Sequence, residues 1–252
     1  MKKLIILSLL TLAGQVAAWG QTVNIHMKDG SVIEYDASDV DYVNFSAQSN
    51  TGLNGHEAVD LGLPSGLKWA TCNVGATKPE EAGGFFAWGE VEEKEDYSWS
   101  TYKWSKDDTS TITKYTTAKD DGSWDGMLES ADDVAHVRWG GSWRMPTQAE
   151  AEELIKNCKV KKTIQNDVNG FLFTGPNGNS IFLPAPGVKF NKGMEWENKH
   201  GDYWTSGLNK SSNKSAAYLY TYYESNEWGV RYYSDNRREG YSIRPVTDAG
   251  TK

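Results

Sequence analysis

Residues 139–158 read WGGSWRMPTQAEAEELIKNC, and the fold turns on how this stretch is parsed. Thr147 stands three positions before Glu150, the spacing of a capping box, so a helix opens just after Pro146. Ala151, Leu154, Ile155 and Cys158 then fall on one helical face, whereas Glu152, Glu153 and Lys156 fall elsewhere. The spacing predicts an amphipathic helix that docks one stripe on a sheet and shows the rest to water. On either side the pattern is of strands. Residues 58–63 and 67–72 flank a Pro64-Ser65-Gly66 turn, and residues 171–174 and 180–183 flank a turn at 175–179; both pairs read as hairpins. Residues 218–222, 229–233 and 241–246 are further strand-like runs. Ser130 and Asp133 ahead of residues 134–138, with Gly140 and Gly141 after them, mark a short capped helix. Residues 79–82 read as a helical turn, residues 90–96 as a solvated charge run and residues 99–125 as an elaborated surface loop. A few short helices among antiparallel hairpins define an α+β fold class.

The 252-residue chain carries 34 acidic and 26 basic side chains, a net charge of −8, with 25 Gly, 11 Trp, 13 Tyr and 2 Cys. Its 12% aromatic content excludes a disordered chain, a coiled coil or collagen. The acidic balance and the lack of a basic stripe exclude a nucleic-acid partner.

Residues 1–20 read as a secretory signal peptide: Lys2 and Lys3, an apolar run over 4–13 too short to span a bilayer, then small residues, with cleavage expected before Gln21. A buried N-terminal helix is the competing reading. No later segment is apolar enough to cross a membrane, so the expectation is export to the periplasm or cell surface of a Gram-negative bacterium. Residues 21–46 form a small β unit, in which Val23, Ile25 and Met27 alternate with polar residues. Asp29-Gly30 supplies a turn, and residues 32–35 and 40–45 return. Residues 47–55 are a linker, 56–247 the main domain and 248–252 a tail. In an oxidising compartment Cys72 and Cys158 are either a disulfide or two separate thiols; spacing alone does not choose.

The motifs AVDLGLPSGLKWATCNVGA (58–76), FAWGE (86–90), WGGSWRMPT (139–147), GPNGNSIFLP (175–184), YWTS (203–206) and GYSIRPV (240–246) make the main domain resemble the Fibrobacter succinogenes major paralogous domain. That resemblance implies an exported or surface protein with no established general activity. More distantly it implies the C-type-lectin-like fold, shared with formylglycine-generating enzymes, in which the last third of the chain builds the ligand surface. Those enzymes hold their metal with a cysteine pair in the C-terminal part of the domain, where neither Cys72 nor Cys158 lies, so the resemblance does not carry the activity over.

The residues themselves favour binding over catalysis. His26, His56, His136 and His200 are scattered and none has metal-ligand spacing, and no nucleophile elbow or phosphate loop is present. An enzyme would need a pocket that brings His136 or His200 together with carboxylates. No cofactor is expected; one structural calcium is the remaining metal reading, from the acid pairs at 107–108, 120–121 and 132–133. The informative region is 202–241, which holds 8 of the 13 tyrosines among Asn, Ser, Lys, Arg and Asp. Such a mixture suits a glycan or protein ligand, and it also suits a β-rich core. Ala217, Leu219 and Thr221 share one strand face while Tyr218, Tyr220 and Tyr222 share the other. The exposed binding candidates are Tyr222, Tyr223, Asn226, Trp228, Arg231, Tyr233, Asn236 and Arg237; Trp69, Trp88, Trp139, Trp143 and Trp204 are assigned to the core. A non-enzymatic recognition protein is the first expectation. A structural or assembly subunit that makes contact through its N-terminal β segment is the second.

Overall fold

The computed structural model describes residues 22–26, 31–36, 54–106, 111–116, 126–209, 211–223 and 228–248. Contacts divide the chain into two units, residues 1–49 and 50–252. In the first, β1 (Thr22–His26) and β2 (Val32–Asp36) form an antiparallel hairpin with Thr22 opposite Asp36 and His26 opposite Val32. Residues 40–45, the third apolar run of this unit, lie outside the described residues.

The second unit is a series of small antiparallel sheets with short helices between them. Its elements in chain order are β3 (Ala58–Asp60), β4 (Lys68–Ala70), β5 (Ser105–Lys106), β6 (Thr111–Ile112), α1 (Val134–Trp139), α2 (Gln148–Asn157), β7 (Lys159–Gln165), β8 (Val168–Thr174), β9 (Ser180–Pro184), β10 (Val188–Phe190), β11 (Gly193–Glu195), β12 (His200–Leu208), β13 (Ser215–Tyr223), β14 (Trp228–Asn236) and β15 (Val246–Thr247). Both hairpins read from the sequence are present, β3 with β4 and β8 with β9, and each gains a third strand: β15 beside β4, and β7 beside β8. The longest strands pair in the order β12-β13-β14.

The helix after Pro146 is α2. The Thr147 side chain accepts from the Glu150 backbone N–H and the Glu150 carboxylate accepts from the Thr147 N–H, completing the capping box. Arg144 then donates two hydrogen bonds to the same carboxylate, at 2.7 and 2.6 Å, a bidentate pair that ties the motif preceding the helix to its first turn. Ala151 and Leu154 are fully buried, with Ile155 and Cys158 packed beside them, against Leu61, Trp69, Phe171, Phe173, Tyr203 and Leu219. For α1 the cap is Asp133 rather than Ser130, which belongs to a preceding 3-10 turn (Ser130–Asp132).

The β12-β13-β14 sheet divides two cores. Tyr203, Leu219 and Val230 project to the α2 side. On the other side Trp204 and Tyr218 join Phe86, Trp88, Trp143 and Tyr241. The five tryptophans assigned to the core are all buried, with at most 8% exposure. The stretch read as a surface loop departs from expectation: Tyr102, Ile112 and Tyr115 within it are buried, because a buried arginine from the other end of the chain gathers it inward.

Candidate functional site

Pairing register places side chains of the sheet on two faces with period 2. Asp202 lies opposite Tyr220, which lies opposite Arg231; Trp204, Tyr218 and Tyr233 form the adjacent row, and His200, Tyr222 and Gly229 the row on the other side. Trp204 and Tyr218 are covered by the core. Past them the same face opens into a cleft of about 480 Å³ lined by Trp196, His200, Asp202, Tyr218, Tyr220, Tyr222, Arg231, Tyr233, Asp235 and Tyr241, a volume in the range of small-molecule sites.

Its walls are a relay of rings. Trp196 stacks on His200 (centroids 5.0 Å apart, 15° between planes), His200 meets Tyr220 edge-on at 5.3 Å, and Tyr220 stacks on Tyr222 at 5.4 Å and 20°. Tyr218 meets Tyr233 edge-on at 6.1 Å. Gly229 makes room for this arrangement, since a Cβ there would meet the Tyr222 ring at 2.5 Å. Trp196 is 49% exposed and holds a left-handed φ of 51°, a conformation that costs a bulky residue about 1–3 kcal/mol. Its carbonyl accepts from the N–H groups of Lys199 and His200, which fixes the turn that brings the indole to the mouth. The Arg231 guanidinium lies 4.8 Å from the Tyr222 ring centre.

The floor is acidic. Asp202 is 3% exposed and its Oδ1 has no hydrogen-bond partner. Burial raises its pKa well above the carboxylate range, and the like charges of Asp235 and Glu239 add to the effect. Glu239, 5% exposed behind the cleft, accepts from the Tyr241 hydroxyl at 2.9 Å and from Asn236 at 3.2 Å. Burial and then Asp235 push its pKa up to about 7. Among the described residues no ion pair joins Asp202, Asp235 or Glu239 to a cation. Nor do three or more His, Cys, Asp or Glu side chains there converge on a point that a metal ion could fill.

Of the residues expected at the site, Tyr222, Arg231 and Tyr233 line the cleft. Tyr223 and Trp228 are paired across β13 and β14, but their side chains, like Asn226 altogether, lie outside the described residues. Asn236 is half-buried and hydrogen-bonded to Asp235 and Glu239. Arg237 is a correction. It is fully buried and donates to the Tyr102 hydroxyl (2.6 Å) and to the carbonyls of Tyr115 (2.8 Å), Asn213 (3.0 Å) and Lys114 (2.8 Å), so it staples the 99–116 segment to the end of β14. The disulfide reading is corrected too. Cys72 and Cys158 are free, half-buried thiols: Cys72 accepts from Thr71 after β4, whereas Cys158 caps α2, and burial pushes its pKa up to about 11. Neither thiol lines the cleft.

Trp196, Asp202 and Asp235 are not among the residues expected from the sequence, which names His200 only for an enzyme pocket and leaves Tyr218, Tyr220 and Tyr241 without a site role. Alternation through 200, 202, 218, 220 and 222 was the signal that would have found most of them. Of the two histidines named from the sequence for such a pocket, His200 shares the cleft lining with Asp202 and Asp235. His136 lines a separate hollow of about 370 Å³ beside Asp133. That carboxylate is occupied, accepting from the N–H groups of Ala135, His136 and Met145.

No family model, curated protein or solved structure matches the chain. Among the described residues no helix is long and apolar enough to cross a membrane.

Proposed function

We propose that the chain is an exported recognition protein, non-enzymatic, whose larger unit is a Fibrobacter succinogenes major paralogous domain of C-type-lectin-like architecture, and that it holds a glycan in the β12-β13-β14 cleft. One observation carries the glycan reading: a run of tyrosine, tryptophan and histidine rings surrounds a buried carboxylate oxygen that has no partner within the protein. Ring faces cover the apolar C–H patches of a sugar, and an unpartnered carboxylate accepts from its hydroxyls, so both halves of a sugar's amphipathic surface are met. The few-helix, antiparallel architecture and the Arg144–Glu150 junction formed by the RMPT motif support the family reading.

Tyr222→Ala and Tyr233→Ala test the glycan reading. Each is expected to leave the far-ultraviolet circular dichroism and melting temperature near wild type while weakening capture of the retained sugar on a glycan array, on the order of tenfold, as for aromatic anchors at binding surfaces. Unfolding by both, or unchanged capture, would contradict it.

A second reading, assembly through the small unit, draws on Val32, Ile33 and Tyr35, apolar residues that are 51%, 42% and 46% exposed on β2. Deletion of residues 21–46 without loss of surface association would remove it.

A further inference from the structure

From the acidic floor and the aromatic walls together, we infer that the guest is cationic: an amino sugar whose free ammonium sits against Asp202. The inference rests on the glycan reading and narrows it.

Three features lead to the positive charge. Asp202 is buried and lines the cleft, and its Oδ1 has no hydrogen-bond partner. A buried carboxylate without a partner is costly, and an ammonium guest supplies both the countercharge and the donors that the protein withholds. Asp235 lines the same cleft, Glu239 lies behind Tyr241, and none of the three is neutralised by an ion pair among the described residues. The rings are the third feature. Tyrosine faces attract cations, and the chain's own Arg231 already lies over Tyr222. Arg231 is the cationic side chain lining the cleft, at its exposed rim, and it leaves the floor acidic.

The same features exclude other guests. An anionic sugar would set its carboxylate or sulfate against three acids. A metal ion needs converging ligands, and here the acids are spread along the cleft floor and behind it. A sugar is preferred over a lysine side chain because the near-parallel Trp196–His200 and Tyr220–Tyr222 stacks extend along the cleft as a wall for flat rings, well beyond what one ammonium would use.

The groups facing Asp202 are His200, Tyr218, Tyr220, Tyr241, Asp235, Glu239 and the more distant Arg231. Burial and the like charges of Asp235 and Glu239 disfavour the charged form of Asp202, and an ammonium against it favours that form.

Isothermal titration at neutral pH with four probes decides the matter: the β-1,4-linked tetrasaccharide of glucosamine, its fully N-acetylated form, cellotetraose, and N-acetyl-lysine methylamide. Calcium chloride is a fifth arm. The expected result is that the glucosamine tetrasaccharide binds on the order of tenfold more tightly than the two neutral sugars. Asp202→Asn should abolish the preference while melting at or above the wild-type temperature, because it removes a desolvated acid. Equal binding of the three sugars, or a preference that survives in Asp202→Asn, overturns the cationic guest and leaves the glycan cleft standing. No binding of any sugar overturns the glycan reading with it. Tighter binding of the lysine derivative or of calcium overturns the amino sugar. If Asp202→Asn melts below wild type, Asp235→Asn reads the same preference, and an unchanged preference there overturns the inference.

Discussion

Arg237 and Asp202 are both buried ionisable side chains near the last long strand, and they have opposite roles. Arg237 spends its guanidinium on one hydroxyl and three carbonyls, so Arg237→Ala would strand several buried acceptors. It is expected to lower stability by on the order of 3–5 kcal/mol in a denaturant titration; a loss below about 1 kcal/mol would show that the staple is dispensable. Asp202 has no such partners, and its burial serves the cleft. Neither role was legible in the sequence, where an Arg beside a turn looks exposed and an Asp within a strand looks incidental. Burial that depends on segments more than a hundred positions away leaves no local pattern. Glu239 carries a pH signature of the same origin. Its pKa rises from the ordinary 4.5 to about 7. The folded state therefore holds the proton more tightly, and its contribution is present below about pH 4.5 and lost as pH climbs towards 7. Asp202 has the same sign. Glu150 and Asp132, held low, have the opposite sign and weaken the fold only as pH falls below the unfolded carboxylate range. Thermal melts should therefore show greatest stability on the acid side of neutrality. Glu239→Gln should flatten the decline between pH 5 and 7; an unchanged slope would contradict the assignment.

At the scale of elements, α2 was the easiest to read and β7 the hardest. The capping box and the apolar stripe are local signals, and both appear in the structure, although the helix ends at Asn157 and Cys158, read as part of the stripe, is its C-cap. β7 (KVKKTIQ) has only Val160 and Ile164 as apolar positions, and Ile164 is 59% exposed, so alternation was too weak to reveal an edge strand. Its turn was the missed cue. Asn166 and Asp167 both have positive φ, 47° and 66°, the requirement of a two-residue hairpin turn. Likewise Tyr218, Tyr220 and Tyr222 were correctly placed on one face, but which part of that face stays open depends on where β12 and the core meet it. The Arg144–Glu150 pair is half-buried and bidentate, and Glu150 also closes the cap. Glu150→Ala should therefore cost about 2 kcal/mol, more than a cap alone, in chemical denaturation, with Arg144→Ala costing a similar amount. The double variant should cost clearly less than the sum if the two act as one unit.

At the scale of the whole larger unit, one three-stranded sheet serves two cores and the cleft. The aromatic residues divide accordingly: tryptophans such as Trp69, Trp88, Trp143 and Trp204 are buried at 0% exposure, while Tyr220, Tyr222 and Tyr233 remain accessible on the open part of one face. The sequence pointed to the tyrosines of 202–241 as the recognition surface, and the sheet brings part of that set together. It adds Trp196 and His200 from before the run and withdraws Arg237 into the interior. The central claim is that this cleft, and no other surface of the unit, takes the ligand. Amide chemical-shift mapping of the labelled protein titrated with the glucosamine tetrasaccharide tests it most directly. The account predicts perturbations concentrated at residues 196–202, 218–222 and 229–235; shifts centred instead on the hollow around His136, or on the β1-β2 hairpin, would contradict it.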